Sequence, residues 1–471
     1  MRFPLIPLAS LLIFHLVTES LLASDLTISG FNQLEYSQIE KTRKELFENW
    51  LDVKAFYNDF NLGLRYENHH PSLEDSIWDG IGFRYFEFSK EYLTLTLGNY
   101  YEMFGRGIVL RSYENRDIRN DNNIEGAKLS LDWERANLKL LSGQMLGKYG
   151  TRGNPLRGMD FSLSPINWAS LGGSYVQTEI EDWGKVKLYS GNLSLYFSFI
   201  DFYAELGKKE NPSGLDDGEA VYLASNLYGE RFGLTLEYKD YERFSFVDRD
   251  ITYNNPPELT RAHQYTLLNR QAWELNPYDE KGWEVQGNYS PKDYLKLLVD
   301  FSETHDQKGR IFSSEALFTE AYAEIRYDYQ ELATVKFVGD RMENKKSFGK
   351  PEITGAVMDV TYYLDDKNSI SGVIEHLHTS KFQKDLKYYE QLYTLTFSRS
   401  PVYSVTIGAE RTTQDLEKKR WAYLSFDLTI LERHNISLTY GTRRAGKVCA
   451  SGMCIERPPL EGFELKVLSQ F

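Results

Sequence analysis

Cysteine is almost missing from this sequence: 2 residues in 471. A secreted scaffold stapled by disulfides is therefore excluded. Proline is scarce at 14, and after residue 23 no stretch of about 18 apolar residues occurs, so no helix spans a membrane. Positive charge is also short. Lys and Arg total 54 against 68 Asp and Glu, a net charge of −14. A field of that sign repels phosphate, which excludes a nucleic-acid partner. Aromatic residues are what the chain has in quantity, with 33 Tyr and 27 Phe, and that content excludes disorder.

Residues 1–23 read as a secretory signal peptide. Met1-Arg2 gives a short positive start, Phe3 to Val17 is largely apolar, and Leu21 and Ala23 stand at −3 and −1 before Ser24-Asp25. An N-terminal membrane anchor fits less well, because the apolar run carries Pro4, Pro7 and His15 and has no positive flank after it. No cysteine lies at the junction for a lipoprotein anchor. The folded unit expected is 24–471.

Within it the hydrophobic period is two. Phe60, Leu62, Leu64 and Tyr66 alternate with Asn61, Gly63, Arg65 and Glu67. Leu295, Leu297, Val299 and Phe301 do the same, as do Tyr393, Leu395 and Phe397, then Tyr403, Val405 and Ile407, then Leu424, Phe426, Leu428 and Ile430. Such segments are half-buried strands. Their connections alternate between short and long. Tight turns are expected at 58–59, 89–90, 164–165, 290–291, 365–368, 400–401 and 432–434. Longer polar loops are expected near 69–77, 101–122, 146–156, 178–185, 210–217, 244–280, 305–314, 344–351, 380–385 and 445–458. Three of the turns open on Ser-Pro, and every proline after the leader is placed in a connection or at a strand start.

A transmembrane antiparallel up-and-down β-barrel explains this layout, with apolar residues outside, polar residues inside, and short turns at one rim. A β-solenoid would need a fixed internal repeat, and none is present. Phe463, Leu465, Val467 and Phe471 share one face of the last strand, with Ser469 breaking the apolar series. That terminus resembles the signal of outer-membrane barrels that barrel-assembly machinery reads. Counting one strand at 26–36, eleven hairpins and one strand at 459–471 gives about 24 strands, within 22–26. Strand one then starts just after cleavage, so no N-terminal plug domain is expected.

Two connections are candidates for a pore constriction. The first, from Gly98 to Asn123, offers Glu102, Arg106, Arg111, Arg116 and Arg119 between glycines that permit an inward fold. The second, 244–280, offers Arg261 and Arg270 among aromatic and apolar residues. For each, the plainer alternative is an exposed loop. The segments Gly98–Arg111 and Asn254–Arg270, with Phe471, resemble the uncharacterised porin-like outer-membrane β-barrel family of Bacteroidota and related bacteria. The resemblance implies a barrel in the outer membrane and supplies no substrate.

Lumen-side charges are mixed in sign (Arg65, Glu67, Glu237, Lys239, Lys296, Asp300, Glu324, Arg326, Asp328, Lys336), which predicts cross-strand pairing and weak selectivity. Cys449 and Cys454 bracket four residues and read as a local disulfide in an oxidising envelope. A metal reading of that pair, or of His376 and His378, lacks further ligands, so no metal or other cofactor is expected. No G-x-S-x-G, H-E-x-x-H or phosphate loop occurs, and an enzyme is not expected. The sequence therefore points to a channel for small hydrophilic solutes, in contact with outer-membrane lipid. The alternative is a barrel subunit of an export or assembly complex, plugged by a periplasmic or lipoprotein partner.

Overall fold

The computed structural model describes residues 26–39, 44–71, 77–180, 184–212, 215–259, 263–271, 279–306, 317–345, 351–381, 386–450, 453–457 and 459–471. Twenty-four strands form one antiparallel sheet whose neighbours follow chain order. The first six are β1 (Leu26–Ile39), β2 (Lys44–Tyr57), β3 (Phe60–His69), β4 (Trp78–Lys90), β5 (Leu93–Tyr100) and β6 (Ile124–Trp133). Next come β7 (Ala136–Met145), β8 (Leu156–Ile166), β9 (Ala169–Ile180), β10 (Gly184–Tyr196), β11 (Ile200–Glu210) and β12 (Gly218–Tyr228). Then follow β13 (Phe232–Glu242), β14 (Asp279–Lys292), β15 (Leu295–Asp306), β16 (Leu317–Tyr329), β17 (Ala333–Asn344) and β18 (Pro351–Tyr363). The last six are β19 (Asn368–Lys381), β20 (Leu386–Arg399), β21 (Tyr403–Thr412), β22 (Arg420–Ile430), β23 (His434–Arg443) and β24 (Leu460–Gln470).

β24 pairs with β1, from Phe31 opposite Gln470 to Ile39 opposite Gly462, and this closes the barrel. Phe471 extends the seam: its N–H donates to the Gly30 carbonyl at 3.1 Å and its carbonyl accepts from the Gly30 N–H at 2.8 Å. Its ring lies on Gly30, where a Cβ would sit 2.1 Å from the ring edge, so only glycine admits the aromatic there. With strands about 4.8 Å apart and tilted by about 40°, a circular barrel of this number is roughly 50 Å across.

The period of two does what it promised. Leu62, Leu97, Leu206, Val299, Phe337, Leu395 and Ile407 stand exposed on the outer face. At the short-turn rim Tyr92 stacks on Trp133 and Trp168 on Phe197, the aromatic girdle of a barrel that meets a bilayer interface. All eleven tight turns lie at this rim, where β1 begins and β24 ends.

Two sequence expectations need correction. Ser164-Pro165 and Ser290-Pro291 are not turns but sit inside β8 and β14, at register shifts just before turns at 167–168 and 293–294. The bulge leaves the proline without a ladder bond to lose. Each of the three Ser-Pro serines donates its N–H to a basic residue's carbonyl in the preceding tight turn: Ser164 to Arg135, Ser290 to Arg231, Ser400 to Lys367. The motif laces adjacent hairpins together. The other correction is at the opposite rim, which is not uniformly long: β9 ends at Ile180 and β10 begins at Gly184.

Candidate functional site in the barrel lumen

Residues 101–123 fold into the barrel. Gly105 and Gly107 take φ of +57° and +83°. A Cβ on Gly105 would lie 2.3 Å from the Glu205 carboxylate, so the turn can approach the β11 wall only with glycine. Short pairings join Met103–Phe104 to Leu110–Arg111 and Glu114–Asn115 to Asn120–Asp121. Phe104, Ile108, Val109 and Leu110 are fully buried against Leu141, Leu156, Val176 and Leu188 of the inner wall.

The charged candidates of this segment are all in the lumen, with different surroundings. Glu102 is held by Lys128 at 3.2 Å and Lys139 at 2.9 Å. Arg116 reaches Asp52 at 2.6 Å and Glu114, while Arg119 reaches Glu35 at 3.0 Å and also Glu48. The hub is Arg65 of β3, which is 4% exposed and pairs with Asp52, Glu67, Glu114 and Asp121 at 2.7–3.2 Å. Arg106 differs: its N–H donates to Glu205, but its guanidinium lies exposed over the Tyr203 ring at 4.8 Å. Arg111 lies over Tyr113 at the same distance.

The second connection, described over 243–259 and 263–271, lies on two walls. Its first part packs Phe244, Phe246, Ile251 and Tyr253 into the same buried cluster as Phe104. Asn254 ties the segments together: Nδ2 donates to the Ile108 and Phe244 carbonyls, and Oδ1 accepts from the Phe246 N–H. At the outer rim Asp250 clamps the neighbouring loop, accepting from the Tyr149 N–H and the Thr151 hydroxyl. Partial burial acts to raise the Asp250 pKa, but these hydrogen bonds outweigh it and hold the carboxyl below the usual aspartate value.

The other part, 263–271, ends in the 3-10 turn Leu268–Gln271 and lies on the β16–β21 wall. That wall presents one carboxylate row: Glu320, Asp340, Asp359, Glu375, Glu390 and Glu410, one per strand. His263 meets Glu320, Tyr265 donates to Asp359, and Glu375 accepts the N–H groups of Thr266 and Leu267. Arg270 bridges Glu390 at 2.8 Å and Glu410 at 2.7 Å, with Arg444 also on Glu390. Leu267 and Leu268 fill a buried cluster with Phe318, Ile353 and Leu377. Arg261 lies outside the described residues.

A cavity of about 500 Å³ separates the 114–117 tip from the wall of β1, β22, β23 and β24, with Glu35, Asp117 and Asp427 facing Arg116 and Lys466. Of the charges expected to pair across strands, Lys336 meets Asp359, and Lys239 forms a fully buried pair with Glu280, whereas Arg326 meets Asp328 of its own strand. His376 and His378 share a face near the long-loop rim, both against Tyr389. The backbone places Cys449 opposite Cys454 in a hairpin of Gly446–Ala450 with Met453–Arg457, and their side chains lie outside the described residues.

Sequence reasoning missed Arg65 as a hub and missed the apolar lining of the lumen. The second had a signal. Leu141, Leu156, Val176, Val186 and Leu188 are apolar at inward positions where a solvated barrel would be polar.

Residues 28–471 match a family of unknown function, DUF6029, and the chain belongs to that family. No curated protein matches the sequence. Among solved structures, the P pilus usher (PapC) translocation pore aligns with a TM-score of 0.52 at 11% identity, covering 94% of this chain and 99% of that one. OccK5 (OpdH) of Pseudomonas aeruginosa aligns at 0.45 and 9% identity, covering 75% and 98%. A BenF-like porin from Pseudomonas fluorescens Pf-5 aligns at 0.45 and 11%, covering 71% and 97%. The usher likeness is one of fold: a large, closed antiparallel barrel.

Proposed function

We propose that this protein is an outer-membrane channel for small hydrophilic solutes, exported by a cleaved leader at 1–23, with its mature barrel spanning 24–471. The observation that carries the reading is the placement of 101–123, 243–259 and 263–271 inside a closed barrel with an apolar exterior. Two inward segments narrow a wide lumen. Arg106 and Arg111 form the constriction's adjustable part. Glu102, Arg116, Arg119 and Arg270 hold the segments in place through ion pairs. Charges of both signs line the remaining space, so selectivity is weak. The terminal Phe471, with Phe463, Leu465 and Val467, serves as the address read by barrel-assembly machinery.

The test is single-channel conductance of refolded, leader-free protein in a planar bilayer. Discrete steps are expected, and replacing Arg106 and Arg111 by Ala should raise conductance or shift ion preference. Steps identical to wild type would remove those two residues from the constriction. A second reading is favoured by the likeness to the usher pore: a barrel subunit of an export complex that opens only with a periplasmic or lipoprotein partner. Silence from a folded, heat-modifiable barrel would select it.

A further inference from the structure

The carboxylate row on the β16–β21 wall has one unsatisfied member. Glu320, Asp359, Glu375, Glu390 and Glu410 each meet a cation or donor of residues 263–271. Asp340 stands between Glu320 and Asp359, is 4% exposed, and neither of its carboxylate oxygens has a hydrogen-bond partner. An ionised carboxylate in that position is costly unless a positive charge neutralises it. What faces it is a second carboxylate and an imidazole: donor atoms of His263, Glu320 and Asp340 all lie within 4.8 Å of one another.

We propose that His263, Glu320 and Asp340 bind a divalent first-row transition metal, which clips residues 263–271 to the barrel wall. One imidazole nitrogen and two carboxylates are a borderline donor set suited to Zn²⁺ or Mn²⁺, and a dication neutralises the two acids. Bond lengths near 2.1 Å put ligand atoms about 3–4 Å apart, so side-chain rotation closes the remaining gap. The surroundings hold the ligands in place. Tyr322 stacks on the imidazole with ring centroids 4.8 Å apart, and Asn269 accepts from the His263 N–H at 2.7 Å and donates back to its carbonyl. Without metal, His263 Nε2 lies 2.7 Å from Glu320 Oε1, a hydrogen bond whose proton the metal would replace. Phe318 and Met342, buried nearby, keep the wall around the site dry.

Full-length mature protein, refolded and stripped with chelator, is titrated with Co²⁺ and then with Zn²⁺ in competition. The expected result is one equivalent of Co²⁺ with visible d–d bands, displaced by Zn²⁺. Affinity should fall at least tenfold in Asp340→Asn and in His263→Gln, and stay unchanged in Asp415→Asn, an exposed loop control. Heat-modifiable migration on SDS gels shows whether each variant is a folded barrel. If Asp340→Asn misfolds, His263→Gln decides, because His263 is not in a barrel strand. Stoichiometry or affinity that His263→Gln leaves unchanged overturns the proposal. So does a wild-type protein that takes up no Co²⁺, in which case a proton on Asp340 supplies the missing charge. Each result is independent of whether the barrel conducts.

Discussion

The two inward segments both bury apolar side chains against the wall, but their polar fastenings differ in kind. Residues 101–123 are held by long side chains and by apolar burial: Arg65, Arg116 and Arg119 each span more than one carboxylate, and Phe104, Ile108 and Leu110 are fully enclosed. Residues 263–271 bury Tyr265, Leu267 and Leu268, and their polar links come from wall carboxylates that reach backbone and side-chain donors, with one arginine at the end. The first fastening converges on Arg65, the cation that its four carboxylates share. In the second, the links are spread along the segment over successive wall strands, with no common hub among the described residues. That difference makes 263–271 the segment expected to loosen one link at a time.

Removing the hub of the first fastening is the largest way to disturb this contrast. Arg65→Ala leaves Asp52, Glu67, Glu114 and Asp121 without their common cation, and is expected to cost about 3–5 kcal/mol in urea unfolding from lipid vesicles. A cost below about 1 kcal/mol would mean that Arg116 and Arg119 suffice alone. Next is Glu375→Gln, which keeps the shape but weakens two charge-assisted hydrogen bonds, by about 1.5–3 kcal/mol. Hydrogen exchange at the Thr266 and Leu267 amides should accelerate roughly tenfold or more, with the 104–110 amides unchanged. Equal acceleration in both regions would erase the distinction drawn above.

The smallest effect concerns the clamp at Asp250. Its folded pKa lies below the ordinary 3.8, so its stabilisation is present above that value and is lost as pH falls through the lower, folded pKa. Exposure limits the effect to less than about 1 kcal/mol. Amide protection at Tyr149 should drop on acidification in the wild type and be low at all pH values in Asp250→Asn. A pH-independent wild type would assign the clamp to the backbone bond from Lys148 to the Asp250 carbonyl instead.

The barrel was legible in the sequence because alternation is a local property. A strand that faces lipid on one side and water on the other writes its period of two directly, as Leu62-Gly63-Leu64-Arg65 does. Two of the three Ser-Pro turns were misplaced by about three residues because a β-bulge and a turn use the same residue types, and only pairing tells them apart. Arg106 and Arg111 stood out because their segment is long and sets arginines among glycines. Arg65 looked like any other lumen charge, since its importance depends on Glu114 and Asp121, which reach it only after 101–123 has folded inward. His263, Glu320 and Asp340 carry no motif at all. Strand adjacency alone unites Glu320 and Asp340, and an inward loop delivers the histidine.

The seam at Gly30 and Phe471 has a kinetic consequence. Every other pair of barrel neighbours is consecutive in the chain, whereas the Lys466 to Glu35 hydrogen bond joins residues 431 positions apart. Contact order is therefore low all round the ring and extreme at one junction. The entropy of closing such a loop grows only logarithmically, and hairpin-by-hairpin growth brings the two ends together before they pair. This ring can be laid down by local zipping, with the latch set last. A Gly30→Val variant should accumulate as an open, nearly complete sheet rather than as an unfolded chain.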